Sequence, residues 1–459
     1  MVNLNDLLDP EKSIPENFSF NNTQKNGFTI ADEQGNVSFK IDEEGNTKFN
    51  IDKQFAAKLK TLIYPPDSGL ADINHIITYG QSLAEGSNSL PIQTPTSFSS
   101  SAKMFNHGIK TRYASQNKYQ FLDNHREWQN GENGETPAAG TADMFLREFD
   151  KKSLKNKWIL SSCCAKGGKS ISELSKGTEY YNYILEDVRN GMRLAVEQRK
   201  SYRVMAITWT QGEYNYGTGI NQYKKALKQL RTDLIQDIEA ITGDDYSDLP
   251  FIMYQVSSSY SSKNSKDYPD VALAKLELAL EKGSGFYLAT PIYQLRYHDE
   301  WHLLGPSSKL LGAYYGYVLS KVISGEDWQP LHPISHTING KFLNLKFNKS
   351  GLTFDKPEYF ENINLTIPNR GFSIKNSVGE EIITNVERLS DDNNCDTLRI
   401  ECKESPKNLI ITYGFFDIEN RNAGELHDNN NIVYRIGDKD YHLYNWCVIF
   451  NYHLSEQQN

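Results

Sequence analysis

The stretch His75-Ile-Ile-Thr-Tyr-Gly-Gln-Ser82 leads a short apolar run directly into a glycine and a serine. The run is typical of a buried strand, and the small residues around the serine permit a tight turn. A serine at the carboxyl end of a strand is where an exposed nucleophile sits. A Gly-x-Ser motif at a turn more often has no role beyond the turn itself. Whether this serine is catalytic therefore depends on which other residues the chain places at the same edge of the sheet.

More apolar runs of this kind follow, separated by segments with a helical period. The predicted strands are His75–Tyr79, Lys157–Cys163, Arg203–Trp209, Pro250–Val256 and Gly285–Ala289. Two helices are predicted, each with one apolar face. The first face consists of Tyr181, Leu185, Val188, Met192 and Val196, and the second of Tyr223, Leu227, Leu230, Leu234 and Ile238. Short buried strands alternating with amphipathic helices predict an α/β fold, a doubly wound, flavodoxin-like sheet of five parallel strands. In such sheets the chemistry gathers at the carboxyl ends of the strands.

The regions before and after this central part, which we assign to residues 63–325, have a different texture. Residues 1–62 contain a repeat of about ten residues in which apolar and polar residues alternate after Gly-Asn turns. It predicts an N-terminal attachment segment of short strands, which needs a neighbour: either the main domain or identical chains wound beside it. Residues 326–459 hold strand-like runs between Asn, Asp and Gly turns and predict a separate β-sandwich domain.

Composition excludes several classes of partner. A net charge of −9 and a pI of about 5.7 argue against nucleic acid, since phosphate binding depends on clustered Lys and Arg. No apolar run of about 18 residues occurs, so we expect no membrane span. The first residues lack the charged start and apolar stretch of a signal peptide, so we expect synthesis in the cytoplasm. Five cysteines at no metal-ligand spacing indicate neither a disulfide framework nor a zinc site, and we expect most of them to be buried thiols and no cofactor to be bound.

Polar blocks follow the second and third predicted strands. The pair Gly167 and Gly168 lets backbone N–H groups approach a ligand, as an oxyanion hole requires, or forms only a flexible turn into a helix. In Trp209-Thr-Gln-Gly-Glu213, the amide of Gln211 can donate to a developing oxyanion and Glu213 can fix the surrounding loops by hydrogen bonds. Either residue can equally be an ordinary polar group of a loop.

A final block, Tyr297-His-Asp-Glu-Trp-His302, follows the fifth predicted strand. An aspartate three residues before a histidine allows the carboxylate of Asp299 to fold back onto Nδ1 of His302, which leaves Nε2 facing the serine. An isolated Asp-x-x-His is common and more often a surface hydrogen bond. Here, however, all four blocks come in order, each after a predicted strand, with spacings that suit a doubly wound sheet of about 250 residues.

This set of blocks resembles the SGNH-hydrolase superfamily, and especially its sialate O-acetylesterase and acetylxylan-esterase-like branch, over roughly residues 72–325. That branch carries Gly-Gln-Ser and Gln-Gly-Glu where typical members carry Gly-Asp-Ser and Gly-x-Asn-Asp. The resemblance implies that Ser82 is the nucleophile, that His302 is the general base and that Asp299 orients the imidazole. It implies an oxyanion hole formed by the N–H groups of Ser82 and Gly168, or Gly167 in its place, and by the side chain of Gln211.

The activity implied by the resemblance is removal of O-acetyl groups from a carbohydrate such as a polysaccharide, capsule or O-antigen. The predicted substrate contacts are Gln81, Lys169, Glu213, Tyr214 and Trp301. Lys169 stands where the branch usually has threonine, so it either touches an acidic sugar or points to solvent. The segment 87–133 has no clear period and is predicted to be a long loop that forms a wall or lid beside the site.

The N-terminal repeat bears on the biological setting of the protein. Residues 17–52 resemble β-segments of phage tail fibre and spike proteins, which implies a homotrimer within a virion. Two other classes compete with a carbohydrate O-acetylesterase: a non-catalytic glycan- or receptor-binding protein on the same fold, and a lipase or thioesterase on that fold. The intact set of Ser82, Asp299 and His302 favours an enzyme, and preference for acetate over longer acyl chains would separate the esterases.

Overall fold

The computed structural model describes residues 70–113, 117–257, 269–357, 366–415 and 422–455, together with the backbone of strands within residues 19–49. These N-terminal strands form an antiparallel meander, which confirms the short successive strands predicted from the repeat. The packing of this meander and the boundary predicted near residue 62 lie outside the described residues. The strands are β1 Ser19–Asn22, β2 Phe28–Ala31, β3 Val37–Ile41 and β4 Thr47–Phe49.

A mainly parallel sheet forms the centre of the protein. Its strands are β5 Ile73–Gly80, β6 Ala102–Phe105, β7 Leu122–Asn124, β8 Trp158–Cys163, β9 Tyr202–Thr210, β10 Phe251–Gln255 and β11 Phe286–Pro291. They lie in the order β11-β10-β9-β5-β8-β6-β7, and only the pair β6 and β7 is antiparallel. All five predicted strands are present as neighbours, in the order of a flavodoxin-like sheet. They read as apolar runs because helices cover both faces.

The predicted number of five strands was wrong, because the segment 87–133 contains two more. β6 pairs in parallel with β8, and β7 pairs with the outer edge of β6. With four and three residues, these strands are too short for a period to be recognised among their Ser- and Asn-rich neighbours. Part of the predicted wall or lid therefore extends the edge of the sheet.

The helices begin at recognisable signals. Thr136 and Thr178 cap two of them through their hydroxyl oxygens, and Pro137 occupies the first helical position of one. The predicted apolar face is buried throughout the helix Ile220–Thr242. In the helix Glu179–Glu197, Met192 is only partly buried and Val196, in the last turn, is 58% exposed. No helix in the described residues is long and apolar enough to cross a membrane. The helices are α1 Ser82–Glu85, α2 Pro137–Glu148, α3 Glu179–Glu197, α4 Ile220–Thr242, α5 Asp270–Leu280 and α6 Gly305–Ile323.

The described chain after residue 326 forms antiparallel strands and contains no α-helix. They form sheets of four (β12-β13-β17-β16), three (β15-β18-β22) and two strands, and Phe347 of the first contacts Phe450 of the second with ring centres 6.5 Å apart. These two sheets thus share a core. The strands are β12 Pro333–Asn339, β13 Phe342–Phe347, β14 Thr353–Phe354, β15 Phe372–Ile374, β16 Ile383–Arg388, β17 Thr397–Cys402, β18 Ile410–Tyr413, β19 Leu426–His427, β20 Val433–Ile436, β21 Lys439–His442 and β22 Phe450–His453.

Buried hydrogen bonds attach this β-region to the main sheet. Nε2 of Gln255, at the end of β10, donates to the carbonyl of Ile449 at 2.8 Å, and the Ile449 N–H donates to Oε1 of Gln255 at 2.7 Å. The hydroxyl of Tyr293 donates to the Cys447 carbonyl at 2.7 Å. All five cysteines are free and buried, whereas the sequence predicted buried thiols for most of them.

Glycines allow α2 and α6 to touch along their backbones. A Cβ atom on Gly312 would lie 1.8 Å from the carbonyl oxygen of Pro137, and a Cβ on Gly140 would lie 1.9 Å from that of Lys309. Real Cβ atoms cannot approach so closely, so the two helices can adopt this spacing only with glycine at these positions.

We expect Gly312→Ala to destabilise the protein. The better helix propensity of alanine contributes about 1 kcal/mol, whereas overpacking against rigid backbone costs about 3 kcal/mol or more. Thermal and urea unfolding would measure the loss. Gly219→Ala, at the N-cap of α4, is the control for a methyl group added without a clash, because the nearest atom to a Cβ there is 3.9 Å away. Equal stability of the two variants would contradict this account of the helix contact.

Candidate active site

The turn after β5 is fixed by a close contact with the neighbouring strand. A Cβ on Gly80 would lie 2.0 Å from the carbonyl oxygen of Thr210, and the backbone there has a φ of +145°, so glycine is required. The next N–H, that of Gln81, donates to the same carbonyl at 2.9 Å. Ser82 then begins α1 and is half-buried, which leaves it accessible at the carboxyl edge of the sheet.

Gln81 connects the serine turn to the loop after β9. Its Oε1 accepts hydrogen bonds from the N–H groups of Gly212 and Tyr214, both at 3.2 Å, and the side chain is 4% exposed. The sequence predicted Gln81 as a substrate contact. In the structure its carbonyl oxygen holds two loops of the site together.

Asp299 and His302 form the expected pair. His302 Nδ1 lies 2.8 Å from Asp299 Oδ2, while Asp299 Oδ1 accepts the N–H groups of Trp301 and His302 at 2.7 Å. Burial alone would raise the pKa of Asp299, but the hydrogen bonds from His302, from these two N–H groups and from Asn88 lower it to about 2. The carboxylate therefore stays ionised and favours the tautomer with a proton on Nδ1.

Asn88 was not predicted from the sequence. Its Nδ2 donates to Asp299 Oδ2 at 2.9 Å, and the neighbouring Ser89 hydroxyl donates to the carbonyl of Leu303 at 2.9 Å. Asn88 adopts a left-handed conformation with a φ of +56°, which asparagine tolerates better than most residues. The segment just after α1 thus reaches the turn that carries His302 and joins the two halves of the site.

The two glycines of the second block have different surroundings. The N–H of Gly167 donates to Oε2 of Glu85 at 2.7 Å, and a Cβ on Gly167 would lie 3.5 Å from that of Ser82. Gly168 has a φ of +67° and open space where a Cβ would be. Because the Gly167 N–H is used within the protein, the predicted oxyanion donor remains Gly168.

Gln211 is wholly buried and fully engaged. Its Nε2 donates to the Lys169 carbonyl at 3.2 Å and to Oδ1 of Asn215, and its Oε1 accepts from the hydroxyl of Tyr223 at 2.8 Å. To serve as the predicted oxyanion donor, it must exchange one of its two donor bonds for the substrate. The hydrogen bond to the Lys169 carbonyl is the longer of the two and therefore the weaker, so it is the one expected to be exchanged.

Glu213 lies beneath the site in a buried cluster. Both carboxylate oxygens lie 2.6 Å from the hydroxyl of Tyr254, and Lys275, also buried, donates to the carbonyls of Tyr254 and Gln211. Burial raises the pKa of Glu213 and lowers that of Lys275 to about 7. The side chain of Glu213 is thus bound within the protein, which agrees with its expected role in fixing loops, whereas a substrate contact would require exposure.

The other predicted contacts lie nearer the surface. Tyr214 is 50% exposed and meets Tyr216 edge to face with ring centres 6.3 Å apart. Lys169 is ion-paired with Glu173 at 2.8 Å, and Trp301 is partly buried. In the described part of the chain, no group of three or more His, Cys, Asp or Glu side chains is arranged to hold a metal ion.

Comparison with known proteins places the chain in a family. The family model described as carbohydrate esterase, sialic acid-specific acetylesterase matches residues 73–320, more than half of the 459 residues. No curated protein sequence matches the chain significantly.

Several solved structures are similar. A carbohydrate acetylesterase from Xanthomonas citri has a TM-score of 0.51 and 15% identity, covering 83% of this chain and 80% of that chain. A protein from Arabidopsis thaliana has a TM-score of 0.39 and 18% identity over 54% of this chain and 97% of that chain. A carbohydrate acetylesterase from Sinorhizobium meliloti has a TM-score of 0.30 and 9% identity over 55% and 99%. The first likeness shows the fold and extends beyond residues 73–320.

The fold is that of an SGNH-type hydrolase. The chain belongs to the carbohydrate esterase family of sialic acid-specific acetylesterases. It is an esterase that acts on the acetyl groups of carbohydrates, which confirms the activity implied by the sequence blocks.

The lowered pKa of Asp299 predicts a pH-dependent contribution to stability. A carboxylate whose folded pKa is about 2, below the ordinary 3.8, stabilises the folded state above pH 3.8, and this stabilisation is lost as the pH falls through 2. We expect Asp299→Asn to lower the free energy of unfolding between about pH 5 and pH 7, with the difference shrinking below about pH 4. Urea unfolding at each pH measures it. Asp391→Asn, on an exposed side chain, is the control. A difference that grows towards acid would contradict the assignment.

Proposed function

We propose that the chain is a serine esterase that removes O-acetyl groups from a polysaccharide through a covalent acetyl-enzyme. Ser82 is the nucleophile, His302 the general base and Asp299 the carboxylate that orients it. The observation that carries the proposal is the 2.8 Å contact between His302 Nδ1 and Asp299 Oδ2. Asn88, from the segment that follows the nucleophile helix, holds the same carboxylate oxygen at 2.9 Å.

The reaction begins with attack of Ser82 Oγ on the acetyl carbonyl. His302 takes the hydroxyl proton on Nε2, while Asp299 stabilises the imidazolium that forms. The tetrahedral intermediate collapses when the bond from the acetyl carbon to the sugar oxygen breaks, and His302 returns its proton to that oxygen. Water, deprotonated by the same imidazole, then attacks the acetyl-enzyme. Acetate leaves, and Ser82 regains its proton.

The developing oxyanion accepts hydrogen bonds from the N–H groups of Ser82 and Gly168. Such preorganised donors are among the largest contributors to acyl transfer. Gln211 supplies a third donor when its 3.2 Å bond to the Lys169 carbonyl is exchanged for the substrate. Its bond from Tyr223 to Oε1 stays in place and keeps the amide nitrogen on the side of the substrate.

The sugar binds on the outer side of the serine, where aromatic side chains are exposed. Tyr214 and Tyr216, 50% and 46% exposed, offer faces on which a sugar ring can stack. Lys169, at the same edge, can bind a carboxylate of an acidic polysaccharide once it leaves Glu173.

Acetate release from O-acetylated polysaccharide and from p-nitrophenyl acetate tests the proposal. We expect Ser82→Ala to abolish release, and Gln211→Ala to lower kcat by about 10² to 10³, the usual effect of losing one oxyanion donor. Arg126→Met, at an exposed ion pair, is the control and should keep full activity. Unchanged activity in Ser82→Ala would refute the assigned nucleophile. Faster turnover of p-nitrophenyl butyrate than of the acetate would indicate a lipase or thioesterase instead.

We also propose that the protein works as a trimeric component of a phage tail, where its substrate is a bacterial capsule or O-antigen. Support comes from the N-terminal repeat, whose short antiparallel strands are of a kind that identical chains can wind together. The full-length chain should then have three times the mass of 52.4 kDa by size-exclusion chromatography with light scattering. A chain lacking residues 1–62 is the comparison and should lose the trimer. A monomeric full-length chain would exclude this setting.

A further inference from the structure

The carboxylate of Glu85 connects the nucleophile helix to the glycine turn of the oxyanion site. Glu85 lies one helical turn after Ser82 on α1 and is 3% exposed. Its Oε2 accepts the N–H of Gly167 at 2.7 Å. A Cβ on Gly167 would lie 3.0 Å from this oxygen and 3.5 Å from the Cβ of Ser82, so the turn is in direct contact with both residues. The position of the next N–H, that of Gly168, therefore depends on Glu85.

In the described part of the chain, the cation that pairs with Glu85 is Arg112. Nη2 of Arg112 and the hydroxyl of Tyr113 both donate to Oε1, and Asn133 Nδ2 approaches the same oxygen at 3.4 Å. The guanidinium is 10% exposed and stacks on the ring of Tyr113 with its carbon 4.0 Å from the ring centre. The residues around Glu85 thus hold a buried ion pair rather than a lone carboxylate.

This pairing matters because of where negative charge develops in the reaction. The oxyanion forms next to the N–H groups of Ser82 and Gly168. The carboxylate of Glu85, which binds the N–H of the adjacent Gly167, is close to this position. An unpaired carboxylate so close to the oxyanion would repel it, because the buried site has a low dielectric constant. Arg112 cancels that repulsion while leaving Oε2 free to hold the glycine turn.

We propose that Glu85 and Arg112 are positioning residues of the esterase: Glu85 fixes the Gly167–Gly168 turn against the nucleophile helix, and Arg112 neutralises the carboxylate beside the developing oxyanion. The proposal rests on Ser82 being the nucleophile. Neither residue touches the substrate, and neither belongs to the four sequence blocks that identify the site.

A double-mutant cycle with p-nitrophenyl acetate, a small uncharged substrate, tests the electrostatic part. Arg112→Met leaves Glu85 unpaired and should lower kcat about 10- to 100-fold with KM nearly unchanged. Adding Glu85→Gln removes the charge but keeps a carbonyl that can accept the Gly167 N–H, so the double variant should recover to within about fivefold of the unmodified protein. A double variant no more active than Arg112→Met would overturn the proposal.

Arg112→Lys covers the case in which Arg112→Met fails to fold. It keeps the positive charge but loses the fork that reaches both Glu85 and Tyr113. We expect its kcat to stay within about threefold of the unmodified protein even if its melting temperature falls. If kcat instead drops about 10- to 100-fold in a folded Arg112→Lys, charge neutralisation is not the role of Arg112. Arg126→Met again serves as the control for loss of an arginine, since Arg126 lies in an exposed pair.

Hydrogen exchange tests the positioning part without reference to activity. The Gly167 N–H is protected by Glu85, so Glu85→Ala should speed amide exchange in a peptide covering residues 164–170, whereas Glu85→Gln should leave it slow. Unchanged exchange in Glu85→Ala would overturn the proposal. A fully active Ser82→Ala, by contrast, would refute the nucleophile and leave the exchange result to decide the role of Glu85 separately.

Discussion

The backbone of β5 approaches that of β9 so closely at Gly80 that a single additional carbon would overlap the carbonyl of Thr210. This contact fixes where the central strand must stop, and the first N–H after it binds the same carbonyl. The serine turn, the glycine turn after β8 and the loop after β9 therefore start from neighbouring points on one edge of the sheet. Gln81, Glu85 and Asn88 then connect these loops to one another and to the histidine turn.

The short strands were predictable because each is an apolar run buried on both faces. Their ends in the structure differ from the predicted ends by no more than a few residues, as for β5, predicted over His75–Tyr79 and found over Ile73–Gly80. β6 and β7 could not be recognised, since three or four residues at a sheet edge carry no clear pattern.

The site was predictable in its blocks but less so in its contacts. Asp299 and His302 are three residues apart, so their hydrogen bond follows from local geometry. Asn88 lies 211 residues from Asp299, and nothing in the sequence near either residue indicates that they meet. The direction of the side chains could not be predicted either. Gln81 and Glu213 lie near strand ends, as expected, but the Gln81 oxygen binds a neighbouring loop and the Glu213 oxygens bind Tyr254. A sequence indicates which residues reach the edge of a sheet more readily than which way they point.

Two buried carboxylates lie on segments that carry residues of the site, and each has a basic side chain near it. Glu85 is paired with Arg112, and Glu213 lies near Lys275. Burial raises the pKa of Glu213 and lowers that of Lys275 to about 7, because burial disfavours the charged form of each group. Buried ion pairs add little to stability compared with apolar packing, but they fix polar groups in one arrangement. In the proposed mechanism, the Glu85–Arg112 pair lies beside the glycine turn at which the oxyanion would be stabilised.

The hydrogen bonds between Gln255 and Ile449 limit which parts of this chain can be exchanged by gene fusion during evolution. Gln255 ends a strand of the main sheet, and its amide is satisfied on both sides by a backbone group from the C-terminal β-region. A gene fusion that exchanged this region for another would leave that amide and the Tyr293 hydroxyl facing an interface not shaped to receive them. The two regions are thus constrained to be transmitted as one unit.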